Sequence, residues 1–162
     1  MFNDEITKLA TDVLERARAS SQMLVTAESC TGGLVAGSLT EIAGSSDVFD
    51  RGFITYSNEA KNQMLSVSAE SLIRFGAVSE AVAKEMAYGA LAASRADISV
   101  SVTGIAGPGG GSQEKPVGLV WFGVCKIGEA PSSLKMEFGD VGRDKIRLSA
   151  VKTALKLLQD AI

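Results

Sequence analysis

Apolar residues recur at helical spacing near both ends of the chain. Those of residues 3–19 share one helix face, and the acidic residues of the first turn suit the positive end of the helix dipole. The same spacing returns in residues 148–162. The apolar positions are Ile6, Leu9, Val13, Leu14 and Ala17 in the first segment and Leu148, Val151, Leu155, Leu158 and Ile162 in the last. We therefore predict an amphipathic helix at each end.

Between these helices, short apolar runs alternate with further helical segments. Residues 23–27, 49–56 and 98–103 are typical of strands, and residues 117–124 and 134–138 are predicted to form a hairpin. Helical spacing follows the turn at 28–33, and shorter helices are predicted around Lys61, over 68–75 and over 79–93. Strands and helices thus alternate early, and the hairpin comes late.

This order of elements predicts an α/β fold. We expect a three-layer α/β/α domain with a mixed, mostly parallel sheet of about five strands, including a late antiparallel hairpin. Residues 1–162 should form a single domain, because this length and a hydrophobic content of 46% suffice for one core. Ligands of such folds collect beyond the carboxyl ends of the parallel strands, so residues there are the candidates for chemistry.

The charge of the chain limits its partners. A formal net charge of -3 and the lack of a basic stripe argue against binding nucleic-acid phosphates. No run reaches the roughly 18 to 20 apolar residues that span a bilayer, and the N-terminus is acidic where a signal peptide is basic. We expect no nucleic acid partner, no membrane partner and a cytoplasmic location.

Histidine is absent from the sequence, and this restricts the chemistry most. No imidazole can act as a base, an acid or a metal ligand, so Ser-His-Asp and Cys-His machinery are excluded. The two cysteines, Cys30 and Cys125, lie far apart without metal-type spacing. We expect no disulfide scaffold, no metal site and no cofactor.

Ser29 is the candidate nucleophile. It follows the first predicted strand, and residues 31–33 open a helix behind it, so backbone N–H groups could form an oxyanion hole near its hydroxyl. The flanking residues do not fit the glycine-x-serine-x-glycine elbow. Alternatively, Ser29 only caps the helix. Cys30 is a second possible nucleophile, or else a small buried hydrophobe.

Lys61 is the candidate base. A desolvated lysine can lose enough of its pKa of roughly 10.4 to accept a proton from serine. Tyr56 lies five residues earlier at a strand end, so both side chains could approach one strand-end cleft. The competing interpretation makes Lys61 a solvated helix residue and Tyr56 a core residue.

A glycine-rich loop at 104–112 follows the strand at 98–103. Its bare amides could approach an anionic ligand, which suggests a phosphate or nucleotide cradle, although the Walker and dinucleotide patterns are absent. Arg143 and Arg147, near the start of the last helix, could add charge-assisted contacts to a phosphate. The alternatives are a mobile connection without a ligand and two surface arginines.

Four segments of the chain resemble the CinA C-terminal family. They read TAESCTGG (26–33), GFITYSNEAK (52–61), GAVSE (76–80) and SVTGIAGP (101–108), and KPVG (115–118) follows them. The resemblance covers essentially the whole chain in order. The chain is similar to the stand-alone form of the family rather than to the longer form, which is fused to a molybdopterin-binding-like domain.

The resemblance implies a nicotinamide-nucleotide amidase. Such a hydrolase converts nicotinamide mononucleotide and water to nicotinate mononucleotide and ammonia, a salvage step of pyridine nucleotides, without a metal. The family's serine, tyrosine and lysine correspond to Ser29, Tyr56 and Lys61. The residues expected to bind the substrate are Thr31, Gly32, Gly33, Thr103, Gly104, Gly107 and Arg143.

The mechanism that follows uses Lys61 in its neutral form, helped by Tyr56, to take the Ser29 proton. Amides around 30–33, or the loop at Gly104, would hold the oxyanion, and the loop with a nearby arginine would hold the 5'-phosphate. One alternative is a nucleotide-binding regulatory module without turnover, linked to competence or DNA damage. Another is a different amide substrate. A small-molecule nucleotide is the expected ligand, and a homodimer the expected assembly.

Overall fold

The computed structural model of the protein describes residues 2–162. Its helices are α1 (Asp4–Ala19), α2 (Leu34–Thr40), α3 (Asn58–Leu65), α4 (Ala69–Phe75), α5 (Glu80–Ala92) and α6 (Arg143–Ala161). Its strands are β1 (Leu24–Glu28), β2 (Phe49–Ile54), β3 (Ile98–Gly104), β4 (Leu119–Lys126) and β5 (Ser132–Glu137). In this part of the chain, no helix is both long and apolar enough to cross a bilayer.

The five strands form one mixed sheet in the order β2-β1-β3-β4-β5. β1 pairs in parallel with β2 and β3, whereas β4 is antiparallel to both β3 and β5. Four strands therefore run in one direction and only β4 runs in the other. This confirms the predicted α/β fold, its mostly parallel sheet and its late antiparallel hairpin.

Side-chain caps fix where four of the helices begin. Each cap oxygen accepts a backbone N–H of the first turn, which satisfies one of the donors that a helix leaves open at its N-terminus. The caps are Asn3 of α1, Ser57 of α3, Ser68 of α4 and Ser79 of α5. The Ser57 cap matters for function, because α3 carries Lys61 in its first turns.

Helices cover both faces of the sheet. α1, α2 and α6 pack on one face against apolar side chains such as Leu24 and Val100, and α3, α4 and α5 lie on the other, with Val25 and Ala27 among their partners. On this second face Ser101 of β3 is buried and donates to the backbone of α5. Small residues of this kind bring α5 close to the sheet.

α5 in turn fixes the position of α3. A Cβ at Gly89 of α5 would overlap the carbonyl oxygen of Leu65, the last residue of α3. Only glycine allows this close approach of the two backbones. The contact holds the end of α3 against α5 on this face of the sheet.

Candidate active site

The structure brings Ser29 and Lys61 together. Ser29 directly follows β1, where its backbone N–H donates to the carbonyl oxygen of Val102 over 2.9 Å. The Nζ of Lys61 lies 3.0 Å from the Ser29 Oγ and 2.8 Å from the Thr55 carbonyl oxygen. Lys61 is 1% exposed, which contradicts its interpretation as a solvated helix residue. The pair has the hydrogen-bond distance that proton transfer requires.

The surroundings of Lys61 favour its neutral form. Burial lowers the pKa of the amine from 10.5 to about 8, because a charged group loses its hydration in the interior. Within residues 2–162, no carboxylate forms an ion pair with Lys61. At pH 7 about one tenth of such an amine is neutral, against about 0.03% of an ordinary lysine. This group can act as a base near neutral pH.

Cys30 is a poorer nucleophile than its position suggests. Burial raises the pKa of its thiol to about 11, so the thiolate that would attack a carbonyl is scarce at neutral pH. Its side chain packs in the apolar core on the α6 face of the sheet. The interpretation as a small buried hydrophobe fits this environment.

Tyr56 lies at the mouth of the site rather than in the core. Its side chain is 63% exposed, and its hydroxyl accepts a hydrogen bond from the Arg143 Nη2 over 3.2 Å. The guanidinium of Arg143 also donates to the Gly107 carbonyl oxygen over 2.8 Å. Arg143 therefore bridges Tyr56 and the glycine-rich loop, and the Tyr56 hydroxyl pairs with this arginine rather than with Lys61.

A cleft of about 270 Å³ opens beside the Ser29 hydroxyl. Among residues 2–162, the charged side chains that line it are Lys61 and Arg143, and no carboxylate is among the lining groups. The remaining lining residues are Ser29, Cys30, Tyr56, Asn58, Ala77, Val78, Thr103, Gly104, Ile105, Ala106, Gly107, Gly109 and Gly110. The charge of these lining residues suits an anionic ligand, and the glycine-rich loop, whose backbone carries few side chains, forms one wall.

The glycine-rich loop is held by its own contacts. The backbone N–H of Ile105 donates to the carbonyl oxygen of Leu119, and that of Gly118 donates to the carbonyl oxygen of Ile105. These bonds join the two ends of the connection between β3 and β4, which contains the loop. Gly107 has a φ of +74°, and a Cβ there would lie 2.7 Å from a Val117 methyl carbon. Backbone conformation and space both require glycine at this position.

Thr103, Gly104, Gly107 and Arg143 line the cleft as expected, but Thr31, Gly32 and Gly33 do not. For Gly33 the physical reason is Glu28, a residue that sequence reasoning left unassigned, whereas the N–H of Gly32 donates to the Ser29 carbonyl oxygen. Its buried carboxylate accepts the backbone N–H groups of Gly33, Val35 and Ala36 at 2.8–3.0 Å. These N–H groups, one from Gly33 and two from the first turn of α2, are therefore not available to a substrate. A carboxyl residue just before a glycine-opened helix was the signal that could have revealed this internal cap.

Replacing Glu28 tests how much this cap stabilises the fold. Glu28→Gln supplies one acceptor oxygen and an NH2 group that must face N–H donors, so we expect the free energy of unfolding to fall by about 2 kcal/mol or more. Urea unfolding at pH 7 measures this. The control is Glu41→Gln at the exposed end of the same helix, where the change should stay within about 0.5 kcal/mol. Equal effects of both substitutions would contradict the interpretation.

Arg147 does not line the cleft, in contrast to its candidacy as a phosphate ligand. Its guanidinium donates instead to the backbone carbonyl oxygens of Cys30 and Thr31. Within residues 2–162, no three acidic or cysteine side chains come together as a metal-ligand cluster. The groups that the site offers for chemistry are the Ser29 hydroxyl, the Lys61 amine and backbone N–H groups.

Fold and site together define a class of protein: α/β/α domains that hold a serine and a buried, unpaired lysine at the carboxyl ends of parallel strands. The chain belongs to the CinA C-terminal domain family, whose sequence model matches residues 6–162.

Several known proteins are similar over almost the entire chain. Nicotinamide-nucleotide amidohydrolase PncC of Escherichia coli is 52% identical over 159 residues, which cover 98% of this chain and 95% of that protein. The crystal structure of competence/damage inducible protein CihA from Agrobacterium tumefaciens has a TM-score of 0.96 at 54% identity, covering 98% of this chain and 96% of that one. A putative competence-damage inducible protein of Caldicellulosiruptor saccharolyticus is 51% identical and covers 93% of this chain but 36% of its own.

Proposed function

We propose that this chain hydrolyses nicotinamide mononucleotide to nicotinate mononucleotide and ammonia, with Ser29 as nucleophile and Lys61 as base. The observation that carries the proposal is the buried, unpaired Lys61 amine at 3.0 Å from the Ser29 Oγ. The amide-hydrolysing activity is supported by the 52% identity to the E. coli amidohydrolase. The choice of nicotinamide mononucleotide as the substrate and the roles of Ser29 and Lys61 are what the experiments below test.

The first half of the reaction forms an acyl-enzyme. One N–H of the neutral Lys61 amine donates to the Thr55 carbonyl oxygen, which directs the nitrogen lone pair at the Ser29 hydroxyl. Lys61 takes the hydroxyl proton as Ser29 Oγ attacks the carboxamide carbon, and the carbonyl oxygen becomes an oxyanion. Nearby backbone N–H groups stabilise that charge. The Lys61 ammonium then protonates the leaving nitrogen, ammonia departs, and an ester to Ser29 remains.

Water completes the second half. Lys61, neutral again after giving up its proton, takes a proton from a water molecule that attacks the ester carbon. The second tetrahedral intermediate collapses, the Ser29 oxygen regains its proton from Lys61, and the new carboxyl group loses its own proton to solvent as the product leaves as nicotinate mononucleotide. Each proton that Lys61 accepts it returns, so one base serves both halves of the reaction.

The cleft offers separate contacts to the two ends of the nucleotide. Two guanidinium N–H groups of Arg143 donate to Tyr56 and Gly107. Its remaining N–H groups can bind a phosphate together with the loop amides. The exposed ring of Tyr56 offers an aromatic face to the positively charged pyridinium ring. Binding at both ends would orient the carboxamide toward Ser29.

Ammonia release tests the proposed function directly. The purified chain is incubated with nicotinamide mononucleotide, and ammonia is measured by an enzyme-coupled assay, with free nicotinamide and a panel of other amides as comparison substrates. We expect release from the mononucleotide and at least about 100-fold less, in kcat/KM, from nicotinamide, which lacks the phosphate contacts. Binding of the mononucleotide without any ammonia would instead identify a regulatory module, and preference for another amide would correct the substrate.

Arg143→Gln should separate phosphate binding from chemistry. Loss of the guanidinium removes a charge-assisted contact, so we expect KM for nicotinamide mononucleotide to rise about 10-fold or more, with a smaller change in kcat. Steady-state kinetics with nicotinamide riboside, which has no phosphate, is the matched control. If the riboside loses as much kcat/KM as the mononucleotide does, Arg143 does not act on the phosphate.

A further inference from the structure

Arg147 braces the turn that carries Ser29 from the far side of the sheet. Its Nε donates to the Cys30 carbonyl oxygen over 3.1 Å, and its Nη2 donates to that of Thr31 over 2.9 Å. A Cβ at Gly32 would lie 3.5 Å from the same Nη2 atom, so the guanidinium lies directly against the turn. Arg147 belongs to α6, whereas Lys61 reaches Ser29 from α3 on the opposite face.

Carbonyls held in this way fix the direction of the neighbouring N–H groups. In a planar trans peptide the C=O and the following N–H point in opposite directions. Since Arg147 holds the Cys30 carbonyl on the α6 side, the Thr31 N–H points away from α6. The Gly32 N–H holds the Ser29 carbonyl at 3.0 Å, which orients the Cys30 N–H in the same manner.

These two N–H groups are the ones that the turn leaves free. The amides of Gly33, Val35 and Ala36 donate to Glu28, whereas those of Cys30 and Thr31 have no acceptor among residues 2–162. Cys30 lines the cleft, and Thr31 is the next residue of the same turn. Two adjacent free donors that immediately follow a nucleophile can stabilise the oxyanion that forms there. Their value depends on a fixed orientation, because donors aligned beforehand need no reorganisation during the reaction.

We propose that Arg147 is a positioning residue: by holding the Cys30 and Thr31 carbonyls, it keeps the Cys30 and Thr31 N–H groups aligned as the oxyanion hole for attack by Ser29. This inference rests on the proposed amidohydrolase reaction. Arg147 contacts neither the substrate nor the reacting atoms. Its effect on the transition state is indirect, because it orients the backbone N–H groups that stabilise the oxyanion. Binding of the substrate before the reaction depends on the residues of the cleft instead.

Two variants of Arg147, which keep different numbers of its carbonyl contacts, test the proposal. In Arg147→Ala both carbonyl contacts are lost, and we expect kcat to fall about 30-fold or more while KM stays within about threefold. Arg147→Lys can reach only one carbonyl, so its kcat should lie between those of Arg147→Ala and the wild type. Lys152→Met removes a cation of α6 that pairs with Glu5, and it should keep wild-type kcat.

Free methylguanidinium should restore part of the activity of Arg147→Ala. The pH midpoint of kcat in Arg147→Ala should equal that of the wild type.

The outcomes separate this inference from the proposed function. If Ser29→Ala releases ammonia as the wild type does, the reaction itself is wrongly assigned. If Ser29→Ala is inactive but Arg147→Ala keeps wild-type kcat, the positioning role is overturned and the reaction stands. A loss of activity in Arg147→Ala that follows a lowered Tm, raises KM equally and does not respond to methylguanidinium would show a merely structural arginine, which also overturns the proposal.

Discussion

Ser29→Ala is expected to lower ammonia release from nicotinamide mononucleotide by about 10⁴-fold or more. The substitution removes the hydroxyl oxygen that lies 3.0 Å from the Lys61 amine and that would form the ester with the substrate. Loss of a serine nucleophile that works as a unit with its base removes nearly all of their joint contribution, since neither partner functions alone. Steady-state ammonia production measures the loss. Mass spectrometry of the quenched reaction should detect the acyl-enzyme in the wild type only.

Three controls make this result specific. Ser94→Ala removes a hydroxyl that donates to a backbone carbonyl at the end of α5, away from the cleft, and should keep full activity. Ser29→Ala should bind nicotinate mononucleotide with an affinity close to that of the wild type, because the phosphate contacts remain. Cys30→Ala should stay within about fivefold of wild-type kcat. If Cys30→Ala is inactive while Ser29→Ala turns over, the nucleophile is the thiol.

The fold was largely predictable because its signals are local. The stripe that begins at Ile6 and the one that ends at Ile162 each mark a helix with one buried face, and the structure contains both as α1 and α6. The hairpin was located correctly, but β4 and β5 extend to Lys126 and Ser132, so the turn is shorter than predicted. A positive φ of 80° at Gly128 allows this tighter reversal, and sequence alone does not reveal where such a residue lies within a turn.

The candidate site was predictable only in part, since its decisive properties are tertiary. The sequence placed Ser29 at the end of the first strand and Lys61 in the helix that follows the second strand, and the parallel pairing of β1 with β2 brings those strand ends to one edge. Burial of Lys61 depends on α5 packing against α3, which no local pattern indicates. Arg147 is separated in sequence from its carbonyl partners Thr31 and Cys30 by 116 and 117 positions, so these contacts appear only in the folded chain. Gly33 was expected in the cleft because a helix N-terminus usually offers its amides, but the buried Glu28 carboxylate accepts its N–H.

Lys61→Arg and Lys61→Met are both expected to lower kcat by about 10³-fold or more above pH 8, where the wild-type amine is neutral. Arginine keeps the positive charge but cannot give up its proton in the accessible range, and methionine has a similar length but no basic nitrogen. If Lys61 acted only as a fixed cation, Lys61→Arg would keep much of the activity, so the two variants distinguish a base from a charge. Steady-state ammonia release from pH 6 to 10 provides the measurement, and Lys84→Met on the exposed side of α5 is the control lysine.

The wild-type pH profile should carry the signature of the same amine. Because burial lowers the pKa of Lys61 to about 8, the neutral form increases as the pH rises through 8, and kcat/KM should rise with it and then level off. Below that midpoint the rate should fall about tenfold per pH unit, since only the deprotonated amine can take the Ser29 proton. A rate that is flat from pH 6 to 9, or one that falls as the pH rises through 8, would show that proton removal by Lys61 does not limit the reaction. Retention of this pH-dependent limb by Lys61→Met would assign it to another group and remove the base on which the mechanism depends.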